Sequence, residues 1–325
     1  MSTKQTDPLI RGSLLARRAR LERVLTRAPA DAQLRQLLDE VDSALARLDD
    51  GSYGICETCH EPIETDRILA DPLVRFCLDH LTPRQQRALE EDLEVAWGIQ
   101  RGLLPQQGLR AAGWETAYHY EGLGIVSGDY CDLFASEHGL HFVVGDVSGK
   151  GVSAALLMAH LHATCRVLIP QQLPLDQVVG RASRMFSEST LPTQFATLVC
   201  GLAAPGGEVE FSIAGHSPVL ILRETQVEWI EATGLPLGMF SDEKFSVHRT
   251  SLRSGDSIVL YTDGLHEALD PKGAEYGIER LAELLRPARP LPPRGIIAKC
   301  LADLEAFRAG APKMDDLTIL VLRRA

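Results

Sequence analysis

Four acidic corners, far apart in the sequence, constrain this chain more than any other feature. In His141-Phe142-Val143-Val144-Gly145-Asp146-Val147-Ser148-Gly149-Lys150-Gly151 an apolar run ends on a lone aspartate, two glycines bracket a lysine, and an amphipathic helix (Val152–Leu168) follows. The carboxylate then stands at a strand end facing a helix N-terminus. Such a corner suits a divalent cation and a phosphate together, because the carboxylate is a hard oxygen ligand and the glycine turn offers N–H groups to an anion. Ser257-Ile258-Val259-Leu260-Tyr261-Thr262-Asp263-Gly264 repeats the pattern, Asp315-Asp316 opens the run Leu317–Leu322, and Ser127-Gly128-Asp129-Tyr130-Cys131-Asp132 lies upstream. One such corner is common in plain α/β proteins. Four of them meet the needs of a two-metal hydrolytic site, whose ions lie about 3.5–4 Å apart, and a sheet scaffold is what brings positions so distant in sequence together.

The texture of the second half agrees. Beyond Pro105, β-branched runs recur at Thr116–Tyr120, His141–Gly145, Ala196–Leu202, Val209–Ala214, Val219–Arg223, Ser257–Tyr261 and Leu317–Leu322. Helical spans separate them at Val152–Leu168, Leu175–Glu188, Ile278–Leu285 and Pro293–Ala309. Pro205-Gly206-Gly207 and Arg253-Ser254-Gly255-Asp256 read as hairpin turns and favour antiparallel pairing. The expected fold is α+β, an antiparallel β-sandwich flanked by helices, with the sheets inside.

The first half is built differently. Leu9–Thr26 and Asp31–Leu48 carry helical periodicity; Arg27-Ala28-Pro29-Ala30 ends the first helix and Asp31 offers an N-cap for the second, giving an antiparallel helical hairpin. Cys56-Glu57-Thr58-Cys59 and the later Cys77-Leu78-Asp79-His80 are two ligand pairs, each spaced so that one tight turn aims both members at a tetrahedral ion. Structural Zn²⁺ is expected there, with all four positions filled by Cys56, Cys59, Cys77 and His80 and none left open for catalysis; His60 is a rival fourth ligand. Thr82–Leu104 reads as a linker helix, with Thr82-Pro83 at its start and Pro105 as its stop. The expected domains are therefore 1–81, 82–106 and 107–325. Seven cysteines without an export signal argue against a disulfide framework. A net charge of −11 argues against a nucleic-acid-coating chain. No signal-peptide pattern and no apolar run of membrane-spanning length are found, so a cytoplasmic chain without membrane contact is expected.

Two family resemblances emerge from these residues. Asp50-Gly51-Ser52-Tyr53-Gly54-Ile55-Cys56, with Ile63, Arg67-Ile68-Leu69-Ala70 and Cys77, resembles the zinc finger of the DksA/TraR family over about residues 10–81, with His80 where that family commonly has its fourth cysteine. That resemblance implies RNA polymerase as a partner, approached through acidic residues at the hairpin tip, where this chain offers only Asp31. About residues 97–325 resemble the SpoIIE/RsbU-type serine/threonine phosphatases, a bacterial branch of the metal-dependent (PPM) protein phosphatases. The motifs are Gln100-Arg101-Gly102-Leu103-Leu104-Pro105, Ser127-Gly128-Asp129-Tyr130, Gly145–Gly151, Phe195-Ala196-Thr197-Leu198, Ala214-Gly215-His216-Ser217-Pro218, Leu235-Pro236-Leu237-Gly238, Tyr261–Ala268 and Asp315-Asp316-Leu317-Thr318.

By this second resemblance Asp146 bridges two Mn²⁺ or Mg²⁺ ions, the Val147 carbonyl and Asp129 complete the shell of one, and Asp263 and Asp315 that of the other. The resemblance also implies a phosphorylated STAS-type anti-sigma-factor antagonist as substrate and a homodimer formed through the linker helix, with Leu89, Leu93, Ala96, Trp97, Leu103 and Leu104 as its stripe. Water activated by two divalent ions attacks phosphorus in line, so no cysteine or serine nucleophile is required. Eukaryotic-type relatives place a histidine after the bridging Asp-Gly and an arginine near the phosphate; here Ser148 follows Val147 and no arginine is evident, while Lys150 is a candidate for charge toward the phosphate. His216 reads as a hydrogen-bonded structural residue and His266 as a candidate beside Asp263. Two other classes stay open: a zinc-finger binding protein with an inert phosphatase-like half, and a small-molecule phosphohydrolase.

Overall fold

The computed structural model describes residues 3–27, 32–80, 83–191, 193–224, 226–232, 234–239 and 244–325. Its contacts divide it into two compact units, Met1–Asp92 and Leu93–Ala325.

In the first unit, α1 (Thr3–Arg27) packs on α2 (Ala32–Asp50). Ile10, Leu14 and Leu21 meet Val41 and Ala44, and this core runs on into Cys56, Ile63, Ile68 and Val74 of the cysteine-bearing segment, which carries the short α3 (Thr65–Ala70). Residues 28–31, including the expected helix break and Asp31 cap, lie outside the described residues, as does Thr82. Helix α4 (Pro83–Leu103) crosses the division between the units.

The second unit opens with β1 (Arg110–Ala111), β2 (Trp114–Glu121), β3 (Asp129–Ser136) and β4 (Gly139–Val147), then α5 (Gly151–Leu168) and α6 (Leu175–Ser189). Next come β5 (Ala196–Ala203), β6 (Glu208–Ala214), β7 (Val219–Leu222), β8 (Val227–Ile230), β9 (His248–Ser251) and β10 (Ser257–Tyr261). The chain closes with α7 (Asp263–His266), α8 (Ile278–Leu285), α9 (Pro293–Arg308) and β11 (Leu317–Arg324). Two antiparallel sheets form, in the orders β1-β2-β11-β10-β7-β8 and β3-β4-β5-β6-β9.

Side-chain alternation sorts the layers, since successive residues of a strand point to opposite faces. Phe142 and Val144 of β4 and Leu320 and Leu322 of β11 enter the core between the sheets, with Trp114, Phe211 and Ile258. Their neighbour Val143 packs outward against Met158, Leu161 and Phe186 of α5 and α6. Ile319 and Val321 pack outward against Leu281, Ile296 and Cys300 of α8 and α9. The result is helix, sheet, sheet, helix, as expected from the sequence.

Several local readings need correction. Arg253–Asp256 is no hairpin: β9 pairs with β6 and β10 with β7 and β11, so this turn carries the chain from one sheet to the other. Strands β3, β8 and β9 carry no clean apolar alternation and were not anticipated; β3 holds two aspartates in Asp129-Tyr130-Cys131-Asp132. Gly151–Gln171 is long and apolar enough to cross a membrane, the one such helix among the described residues. In this fold Ala154, Met158, Leu161, Cys165 and Leu168 form its buried face against the sheet.

Candidate active site and zinc site

Strand register does most of the assembly. Asp129 stands directly opposite Asp146 on neighbouring strands, and Asp146 stands opposite Thr197 on β5. The second sheet contributes Thr262 after β10 and Thr318 in β11, whose hydroxyls both donate to Asp129 Oδ2, at 2.9 and 2.6 Å. Tyr120 of β2 donates its hydroxyl to the Asp129 carbonyl at 3.0 Å. Asp129 thus ties the two sheets together where the carboxylates gather. Its other oxygen, Oδ1, is buried without a partner. A buried ionised oxygen left unpaired is costly unless a cation meets it.

Asp146 is the last residue but one of β4, and the turn beyond the strand needs left-handed backbone at Gly149 (φ 100°) and Gly151 (φ 72°), which glycine adopts without steric cost. Ser148 is fixed in both directions to Phe195: its N–H donates to the Phe195 carbonyl and its Oγ accepts the Phe195 N–H, each at 2.9 Å. The residue replacing a histidine is therefore a structural clasp. A methyl group on Gly128 would come within 3.0 Å of the Val147 carbonyl and 3.5 Å of Asp146 Oδ1, so glycine there keeps open the space these two oxygens face.

Asp263 begins α7, and Gly264 after it lets β11 approach, since a Cβ there would collide with the Asp316 carbonyl. Asp315 and Asp316 divide their work. Asp316, 6% exposed, accepts the N–H groups of Leu123 and Gly128 and so pins the 122–128 loop. Asp315 accepts from Lys150 Nζ at 2.9 Å. Lys150, expected as a source of charge toward phosphate, spends it on Asp315 and on the Met314 carbonyl. Asp132 belongs elsewhere: Arg166 clamps it with two bonds of 2.6 Å.

Burial and crowding raise three of these carboxyls. Burial, then Asp146, drives the Asp129 carboxyl well above its usual range. Burial, then Asp263 and Asp315, raises Asp146 to about 8, and burial, then Asp315, raises Asp263 to about 6. Like charges packed in a desolvated corner are stabilised by divalent cations, and the orphaned Asp129 oxygen and the opening at Gly128 fit such ions.

Asp146 and Asp263 also share a cavity of about 280 Å³ with Thr197, His216, His266 and Glu267. His216 is buried, shares a 2.7 Å hydrogen bond with Thr197 Oγ1 through Nδ1, and is held neutral, its pKa pushed down to about 3 by burial and by His266. Gln100, the polar residue that weakens the α4 stripe, is buried and grips Ser127 twice: Nε2 donates to the Ser127 carbonyl at 2.7 Å and Oε1 accepts its N–H at 3.0 Å. Sequence reading missed this clamp, Thr262, Thr318, Tyr120 and an arginine, Arg308, which lines a cavity with Asp263 and Asp315. The signal for the threonines was their place beside Asp263 and Asp316; Arg308 ends α9 shortly before Asp315-Asp316, but no motif or periodicity in the sequence singles it out.

In the first unit the ligand atoms of Cys56, Cys59, Cys77 and His80 lie within 4.8 Å of one another. The Cys59–Cys77 sulfur separation is 3.8 Å, close to the edge of about 3.8 Å that a tetrahedron with 2.3 Å Zn–S bonds requires. His80 reaches Cys77 through Nδ1 at 3.2 Å. The rival His60 is exposed, in left-handed backbone (φ 57°), and outside the cluster. Burial opposes ionisation of Cys56, but N–H groups of Cys59, Cys77 and Thr58 overcome it and bring its thiol down to about 6. The tetrad fits a zinc finger.

The SiaA-PP2C domain of Pseudomonas aeruginosa superposes with a TM-score of 0.66 over 75% of this chain and 99% of that one, at 21% identity. The sandwich thus has the fold of a PP2C domain. The chain belongs to the SpoIIE family: the model of Stage II sporulation protein E (SpoIIE) matches residues 136–325. Residues 51–79 match the prokaryotic dksA/traR C4-type zinc finger, a span that ends one residue before His80. Protein IcfG of Synechocystis is 26% identical over 72% of this chain, and phosphoserine phosphatase RsbU of Bacillus subtilis 25% identical over 76%. The chain spans 41% of IcfG's length and 74% of RsbU's.

Proposed function

We propose that this protein hydrolyses phosphoserine or phosphothreonine on a regulatory protein, using two Mn²⁺ or Mg²⁺ ions. The observation that carries this reading is the convergence of Asp129, Asp146, Asp263 and Asp315, one carboxyl oxygen of which is buried and unpaired. Asp146, Asp129 and the Val147 carbonyl would hold one ion, and Asp146, Asp263 and Asp315 the other. The ions would lower the pKa of the attacking water and neutralise phosphate oxygens. The chain's own part is positioning: Thr262 and Thr318 fix Asp129, Asp316 and Gln100 fix the loop before it, and Lys150 restrains Asp315.

Residues 107–325 form the catalytic domain in this reading, with 1–81 as a regulatory zinc module joined through 82–106. Likeness to an RsbU named phosphoserine phosphatase supports a phosphoprotein substrate, and the family resemblance makes it a phosphorylated STAS-type regulator. A homodimer through α4 is part of the proposal. Leu103 and Leu104 of the expected stripe pack on their own domain, whereas Val95, Trp97 and Ile99 are exposed. Ile99→Glu should therefore lower the sedimentation coefficient; a parent-like value counts against this interface.

Asp146→Asn and Asp263→Asn each should abolish Mn²⁺-dependent release of phosphate from a phosphoserine protein while the fold persists. Near-normal turnover of either variant at saturating Mn²⁺ removes the assignment.

A further inference from the structure

The carboxylate corner opens into a cavity of about 140 Å³ whose wall includes Asp263, Glu267 and Asp315, and also Arg308 and Lys313. The two cations differ in what they have left to offer. Lys313 is occupied by the Glu121 carboxylate and by the carbonyls of Glu121 and Gly122. Arg308 is half-buried at the end of α9, and among the described residues its guanidinium makes one hydrogen bond, from Nη2 to the Ala311 carbonyl at 3.2 Å, and pairs with no carboxylate. A guanidinium beside this corner, free of a counter-charge, has a planar fork suited to phosphate oxygens.

A second cavity of about 420 Å³ adjoins the first and shares Leu269, Pro312 and Met314 with it. Its remaining wall is largely apolar, with Pro271, Ala309 and Ala311, and Met314 is 57% exposed. Together the two make one groove, polar where it meets Asp263 and Asp315 and apolar where it leaves them. Methionine at the junction is unbranched and adapts to varied apolar partners.

Resting on the phosphatase reading, we propose that this groove selects the substrate: Arg308 receives the phosphoryl group of a phosphoserine segment, and the apolar cavity receives an apolar side chain within two residues of that phosphoserine. The charge of Arg308 and the continuity of the groove with the carboxylate corner argue for this occupant over an unphosphorylated apolar segment. The sharing of Met314 by both cavities couples the two preferences.

The test uses full-length Mn²⁺-loaded protein and fluorescent peptides bearing a non-hydrolysable phosphonate analogue of phosphoserine, with leucine or glycine at each of the two positions on either side. Binding is read by anisotropy, and turnover of p-nitrophenyl phosphate is measured in parallel. Leucine at one of those positions should tighten binding about tenfold over glycine, the worth of one well-buried apolar side chain. Met314→Glu should bring that ratio near one. Arg308→Ala should weaken all the phosphonate peptides about tenfold, as loss of a hydrogen bond to a charged group does, and Arg308→Lys should recover part of it. A leucine-to-glycine ratio near one in the parent, or a ratio unchanged in Met314→Glu, overturns the proposal; so does Arg308→Ala binding like the parent. If p-nitrophenyl phosphate is hydrolysed and no peptide discriminates, the groove fails and the phosphatase reading stands. If the peptides discriminate and no Mn²⁺-dependent hydrolysis occurs, the groove stands and the phosphatase reading fails.

Discussion

Single residues at the corner carry opposing demands. Asp146 is raised to about 8 and Asp263 to about 6, chiefly by burial, because the metal-free fold confines charges that the unfolded chain would spread through water. Each carboxyl binds its proton more tightly folded than unfolded. Stability from these groups is therefore present at low pH and is lost as pH rises from about 4 through 8. The metal-free protein should melt at a lower temperature at pH 8 than at pH 5, Asp146→Asn should flatten that dependence, and Mn²⁺ should raise the melting temperature more at pH 8 than at pH 5. Calorimetric scans with and without Mn²⁺ check all three; because buried His216 adds stability in the opposite sense up to about pH 6.5, the deciding result is the comparison with Asp146→Asn, and an identical pH dependence in parent and variant would refute the crowding. These two carboxylates were legible because each ends an apolar run. Thr262, Thr318 and Arg308 were not, since a hydroxyl or a guanidinium acquires meaning here only from what the opposite sheet or a distant helix end brings beside it.

Among the elements, long periodic segments announced themselves and short or polar ones did not. Helices α5, α6 and α8 and strands β4, β5 and β10 follow their apolar pattern closely, whereas β3 alternates poorly because it bears Asp129 and Asp132, one held by hydroxyls from the other sheet and one by Arg166. Polar pairing with the other sheet and with α5 displaced the local signal. Helix α4 shows the reverse case: its apolar stripe is visible in the sequence, and the polar Gln100 falls within it. In the fold that glutamine satisfies both backbone groups of Ser127, two residues from Asp129. Gln100→Leu leaves a buried donor and acceptor unmet, each costing about 1–3 kcal/mol. The variant should melt earlier and bind Mn²⁺ more weakly by titration calorimetry; unaltered Mn²⁺ affinity would separate α4 from the corner.

At the scale of the whole molecule, the two units rest on different sources of stability. The first unit's core of Ile10, Leu14, Val41, Ala44 and Ile63 includes two of the cysteines, so its packing depends on where the sulfurs are held. Metal binding at the Cys/His tetrad would supply folding free energy, as in small zinc domains generally. The second unit has three apolar clusters of its own and begins at Leu93, which keeps Gln100 with the sandwich. Cys56→Ser/Cys77→Ser should therefore lose one zinc per chain by metal analysis and lose the first unit's melting transition, while the second unit's transition and its Mn²⁺-dependent hydrolysis persist. A fragment of residues 93–325 should hydrolyse phosphoserine substrate like that double variant. A fragment of residues 107–325 should need more Mn²⁺ for the same rate, because Ser127 loses its clamp and the loop leading to Asp129 loosens. Equal Mn²⁺ requirements for the two fragments would mean that α4 merely connects the units; a dead 93–325 fragment would mean that the zinc unit itself is needed to hold the corner in working order.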